Sequence, residues 1–157
     1  TFPVLQYPNR GIRYILEVDF MLINAANQEI INTRDVYVHD SIFVDMTFDY
    51  QEKKFYFNSK KNNPSGKIYS IIFFNVIEID MVWCDFWGES HYILDWESVK
   101  VENQKLIKKL FTEKNDNNYS NSRLNTEKEY MESIITFKSG DHITIACEYV
   151  DYKELPN

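Results

Sequence analysis

Between residues 81 and 96 the chain reads MVWCDFWGESHYILDW, and reactive side-chain types crowd together there. Cys84 and His91 supply a thiol and an imidazole, and Asp85 or Asp95 stands ready to orient the ring. A thiol beside an imidazole is the pairing that activates a cysteine nucleophile, with a carboxylate fixing the base. The fold assembles such pairs, so nearness in sequence says little, and the stretch matches no local signature of a cysteine hydrolase. The competing reading makes Cys84 a small buried residue at the end of a strand, the commonest fate of a free cysteine. No catalytic residue is therefore expected. The alternative is a small-ligand-binding β-barrel, or an enzyme with a site near Cys84, His91 and Asp95.

Metal and cofactor chemistry find less support. His39, His91, His142, Cys84 and Cys147 are scattered, without the close ligand spacing of zinc sites. His91 and Asp95 would align on a helix, but none is expected there. Each histidine falls at a strand start or turn, where a structural hydrogen bond accounts for it. The four glycines, at 11, 66, 88 and 140, form no dinucleotide fingerprint and no Walker loop. The expectation is no metal and no cofactor.

The same stretch also reads as a binding surface. Trp83, Phe86, Trp87, Tyr92 and Trp96 alternate with Asp85, Glu89, Asp95 and Glu97. Tryptophan and tyrosine bury large areas while keeping a polar handle, and acidic neighbours suit a Lys- or Arg-rich partner. The candidate binding residues are Trp87, Trp96, Tyr92, Asp85 and Glu89. Trp83 is expected in the core, and at least one of Trp87 and Trp96 partly exposed.

The whole chain sets the bounds on partners. A net charge of −7 disfavours nucleic acid, whose affinity comes from Lys and Arg on phosphates, and disfavours anionic membranes. A basic protein partner is compatible, since opposite fields steer association. No apolar run is long enough for a transmembrane helix, and TFPVLQYPNRG at the start is no secretory signal. With two cysteines and no disulfide framework, a cytoplasmic location is expected; Cys84 and Cys147 both fall on expected strands and should stay reduced. A length of 157 residues suits a single domain, 1–157.

The elements that must position these residues are mostly strands. SIFVDMTFDY (41–50) alternates, with Ile42, Val44, Met46, Phe48 and Tyr50 on one face and Phe43 the exception on the other. Residues 49–53 turn, and 54–60 resume as the second strand of a hairpin. Residues 67–83 are too long for one strand and read as two strands bent near Asn75, or one with a bulge there. The first part is apolar on both faces, as in a strand covered on both sides; in the second, Ile77, Ile79, Met81 and Trp83 oppose Glu78 and Asp80. Residues 97–114 carry a helical pattern, with Ser98 as cap and Lys105, Lys108 and Lys109 outward; a strand at 98–102 competes. Residues 113–129 read as a polar, mobile loop. Residues 130–150 form a hairpin turning at Ser139-Gly140-Asp141, with Ile143, Ile145, Cys147 and Tyr149 on one face. Residues 12–31 fit a strand or a helix; the β-forming residues favour a strand that turns at NAANQE. The fold class is α+β, mainly β: an antiparallel sheet of about six to eight strands, curled into a barrel or two-layer sandwich with one or two helices.

VYVHDSIFVDMTFD (36–49), YSIIFFNV (69–76), the Trp-rich bend and FKSGDHITIACEYV (137–150) together resemble small β-rich proteins of unknown function from low-GC Gram-positive bacteria. Some of those are grouped with immunity proteins of bacterial toxin systems. The resemblance spans about 36–150 and carries no catalytic signature. It implies a non-enzymatic, cytoplasmic, acidic protein that binds another protein.

Overall fold

The computed structural model describes residues 21–33, 36–83, 88, 90–116 and 124–156. Within them, β1 is Met21–Asn24, β2 Ile42–Asp49, β3 Lys54–Lys60, β4 Ile68–Phe74, β5 Glu78–Val82 and β6 Ile93–Ser98. Helix α1 follows at Leu106–Asp116, then β7 at Met131–Phe137, β8 at His142–Cys147 and β9 at Tyr149–Glu154. Two antiparallel sheets result: β1-β9-β4-β3-β2 and β5-β8-β7-β6. The molecule is mainly β and sandwich-like. The edge strands β2 and β6 meet at one isolated bridge, Ile42 to Tyr92, and no closed barrel forms among the described residues.

The expected bend at Asn75 divides β4 from β5 and sends them into different sheets. Asn75 takes φ +50°, a left-handed conformation that asparagine tolerates better than most residues. The partner ribbon turns at the same level, where β8 gives way to β9 at Glu148. The Asn75 side-chain amide donates to Glu148 Oε2 at 2.6 Å, and the Glu148 N–H donates to the Phe74 carbonyl. The two ribbons thus bend together, and the sheets share this corner. The break also corrects the expected last strand. Cys147 and Tyr149 do not share one continuous face, because the strand ends at Cys147 and β9 starts afresh in the other sheet.

Two bulges decide which residues reach the core. A register shift between Phe43 and Asp45 inserts Val44 as an extra residue. Phe43 thereby turns inward onto Phe57 and Phe137, with ring centroids 5.3 and 5.6 Å apart, while Val44 stands exposed. The face expected from simple alternation is corrected for both residues. A matching shift between Ile93 and Asp95 leaves Leu94 exposed and buries both Ile93 and Trp96.

The main core lies between the sheets, around Phe55, Phe57, Phe73, Trp96, Phe137 and Ile143. In β4 the residues Ser70, Ile71, Ile72 and Phe73 are all buried, as the apolar character of both faces predicted. A second cluster joins Leu106, Ile107 and Leu110 of α1 to Ile77, Leu124, Tyr130 and Ala146. Lys105, Lys108 and Lys109 face outward as expected. The helix starts later than its sequence pattern suggested: Glu97 and Ser98 end β6, and a 3₁₀ turn over Val101–Asn103 intervenes. Its cap is Glu132 of β7, not Ser98. The buried Glu132 carboxylate accepts from the backbone N–H groups of Lys105, Leu106 and Ile107 at 3.1 to 3.3 Å. Those are donors a helix start otherwise leaves unpaired.

The turn at Gly140 has φ +90°, as expected. Residues 21–24 are extended and the chain turns at Asn24–Asn27, followed by a 3₁₀ turn over Gln28–Asn32. The expected strand over 12–20 lies outside the described residues. So does 117–123 of the expected polar loop; its first part, 113–116, belongs to α1, and Leu124 near its end is buried. No helix among the described residues is long and apolar enough to cross a membrane.

Candidate functional site

The opening stretch does not assemble as a unit. Cys84, Asp85, Phe86, Trp87 and Glu89 lie outside the described residues. Trp83, expected in the core, stands 55% exposed, with its ring edge-on to Phe137 at 5.3 Å. It follows β5, an edge strand, where the sheet offers it only one wall. Trp96 is the reverse. It is 1% exposed, packs against Phe73 and Tyr152, and donates its indole N–H to the Ser133 hydroxyl at 3.1 Å. The Leu94 bulge fixes that inward direction, so its ring faces the core and not a partner. Tyr92 is 39% exposed beside the β2–β6 bridge, with Lys138 Nζ 5.4 Å from its ring centre.

His91 is exposed, and its backbone carbonyl accepts from the Phe43 N–H. Asp95 is half-buried on β6 and accepts from the Trp96 N–H at 2.8 Å. Trp96 points inward, so Asp95 and Glu97 project to the opposite face. There they line a polar cleft of about 350 Å³ with His39, Tyr37, Asn32 and Thr33. Burial, and then the neighbouring Asp95, raise the Glu97 carboxyl above its usual range. His39 Nδ1 bonds the Leu94 carbonyl, the structural role expected of it. Asp40, at φ +60°, pairs with Lys138, whose hydrogen bond holds its carboxyl below the usual range. Cys147 is a fully buried free thiol, and burial pushes its pKa far up, away from nucleophile chemistry. Among the described residues no three His, Cys, Asp or Glu side chains converge as metal ligands.

A different surface carries the exposed apolar residues. A cleft of about 570 Å³ lies between the β2–β3 turn and β5, lined by Phe48, Tyr50, Phe55, Ile77, Ile79 and Met81, with Lys53 and Glu78 among its polar groups. Phe48 is 44% exposed, Tyr50 72% and Met81 43%. The Phe48 and Tyr50 rings meet edge to face at 6.3 Å. The corner builds this cleft: the Val76 N–H donates to the Lys53 carbonyl, tying the hairpin turn to the start of β5. Sequence reading put Phe48 and Tyr50 on a buried face, because their alternation continues the core pattern of Met46. The available signal was the turn at 49–53, which carries that face past the end of the sheet.

By fold and site, then, this is a two-sheet antiparallel β protein with an apolar cleft beside an edge strand. No protein-family model, no curated protein and no solved structure matches the chain.

Proposed function

We propose that this chain is a non-enzymatic protein-binding module whose docking face is the apolar cleft between the β2–β3 turn and β5. The observation that carries the reading is the cluster of Phe48, Tyr50 and Met81, all exposed and gathered in one cleft. Water-facing aromatic and methionine side chains in a concave surface are the usual material of binding hot spots. The net charge of −7 favours a basic partner. The resemblance to immunity proteins gives a specific version of this reading, in which the partner is a toxin.

The binding surface differs from the candidates Trp87, Trp96, Tyr92, Asp85 and Glu89. Trp96 is withdrawn by its burial, and Tyr92 sits by the β2–β6 bridge. The test is affinity capture from the source cells with the wild-type chain and with Phe48→Glu/Met81→Glu. Each co-purifying protein is then reconstituted from pure components. The expected result is one basic partner that binds wild type directly and binds the double variant at least about tenfold more weakly. A partner that binds both chains equally would remove the cleft from the reading.

The alternative of an enzyme or ligand site near Cys84, His91 and Asp95 has one supporting observation, the polar cleft containing His39, Asp95 and Glu97. Asp95 belongs to that cleft, whereas His91 is not among its lining residues.

A further inference from the structure

Strand β4 is flanked by β9 on one side and β3 on the other. Beyond the bend, β5 continues β4 and β8 continues β9, so the first partnership is kept. The second is not. Pairing of β3 with β4 begins at Phe55–Phe73, and the chain before it turns away over 50–53 into β2. Nothing among the described residues takes the place beside β5 that β3 takes beside β4. Alternate residues of Glu78–Val82 therefore present their N–H and C=O groups to a position that no strand among the described residues occupies.

The apolar cleft lies at this position, since its walls come from the β2–β3 turn and from β5. The two faces of β5 differ. Ile79 and Met81 line the cleft, with Glu78 among its polar groups, while Asp80 falls on the other face by the period of the strand. Glu78 lies 3.5 Å from Lys109 of α1, and Asp80 is exposed with no cationic partner among the described residues. A chain laid beside β5 would thus meet apolar side chains on the cleft face and the unpaired Asp80 carboxylate on the other.

We infer that the cleft takes an extended segment of the partner as an added strand beside β5, with apolar and basic residues in alternation. The inference rests on the protein-binding reading and specifies its mode. Backbone hydrogen bonds to β5 supply affinity. Every second side chain enters the cleft against Phe48, Tyr50 and Met81. The intervening Lys or Arg side chains lie on the Asp80 side, where opposite charges on neighbouring strands attract. A second copy of β5 is a poor occupant, because antiparallel self-pairing sets carboxylates against carboxylates.

The probe is a capped eight-residue peptide of alternating Lys and Val, compared with its Glu–Val counterpart and with a Lys–Val peptide N-methylated at every second residue. Binding is followed by calorimetry, and amide exchange is followed at Glu78–Val82. The expected result is binding of Lys–Val with slowed exchange in β5. The Glu–Val and methylated peptides should bind at least about tenfold more weakly, since each loses one of the two sources of attraction. The exposed substitution Asp80→Lys should narrow or reverse the Lys–Val over Glu–Val preference. Equal binding of methylated and unmethylated peptides overturns strand addition while leaving the docking face in place. Absence of any peptide binding, or binding without protection of β5, also overturns it. Those failures remain separate from failure of the protein-binding reading, which is decided by the reconstituted partner and the Phe48→Glu/Met81→Glu chain. Concentration-dependent dimerisation that protects β5 in the absence of peptide would assign the slot to a second copy and overturn the proposal.

Discussion

At the scale of single residues, Asp151 on β9 is the most exposed to test. It lies in the sheet opposite Ile72 and Leu22, and only 1% of it is accessible. Its Oδ1 has no hydrogen-bond partner among the described residues, and Lys153 stands 3.7 Å from Oδ2. Burial raises the carboxyl pKa, and the Lys153 charge only partly opposes it. A raised pKa means that the folded state holds the proton more tightly than the unfolded chain. Its stabilising contribution is complete below the unfolded value of 3.8 and is lost as pH rises through the folded value. Asp151→Asn, which removes the buried charge, should therefore stabilise the protein near pH 7 relative to its effect near pH 3, where the carboxyl is protonated in both states. Thermal melts of both proteins across that range check it. A constant difference at every pH would show that Asp151 titrates alike in both states.

At the scale of elements, two positions hold parts together that the sequence keeps far apart. Glu132 reaches from β7 to three N–H groups at the start of α1. Glu132→Gln has one acceptor oxygen and places an amide donor among donors. It should destabilise the protein by about 1–2 kcal/mol, measured by denaturant titration, with amide exchange faster in the first turn of α1. Asn75 bends β4 into β5 at φ +50° and bonds Glu148 across the corner. Asn75→Gly keeps the conformation and loses the bond. Asn75→Val loses both, and the β-branched side chain opposes the left-handed region, so it should be less stable than the glycine variant by about 1–2 kcal/mol. Equal stability of the two variants would mean that the backbone at the corner relaxes.

At the scale of the whole molecule, the surplus of negative charge bears on how fast a partner arrives. If a basic protein docks at the cleft, its association rate should fall steeply as salt rises from about 0.05 to 0.5 M, while its dissociation rate changes little. Stopped-flow mixing with the reconstituted partner measures both rates. An association rate indifferent to salt would leave apolar burial as the whole basis of recognition.

What the sequence determined by itself follows from local rules. Alternation in 41–50 and 54–60 fixed a hairpin, Gly140 fixed a turn, and the length of 67–83 together with Asn75 required a bend. Those features depend on the period of the strand and on which residues accept positive φ. The tertiary structure decided the rest. Alternation cannot reveal a bulge, and the extra residues at Val44 and Leu94 determined that Phe43 and Trp96 turn inward. Helical periodicity marked α1, but its start was set by a carboxylate from a strand that follows it in the chain. Apolar residues look alike in sequence whether a second sheet covers them or not. Among the described residues, Phe48, Tyr50, Met81 and Trp83 are exposed where the sheet bends at Asn75 and no described strand lies beside β5, a property of two ribbons together that no single stretch of sequence contains.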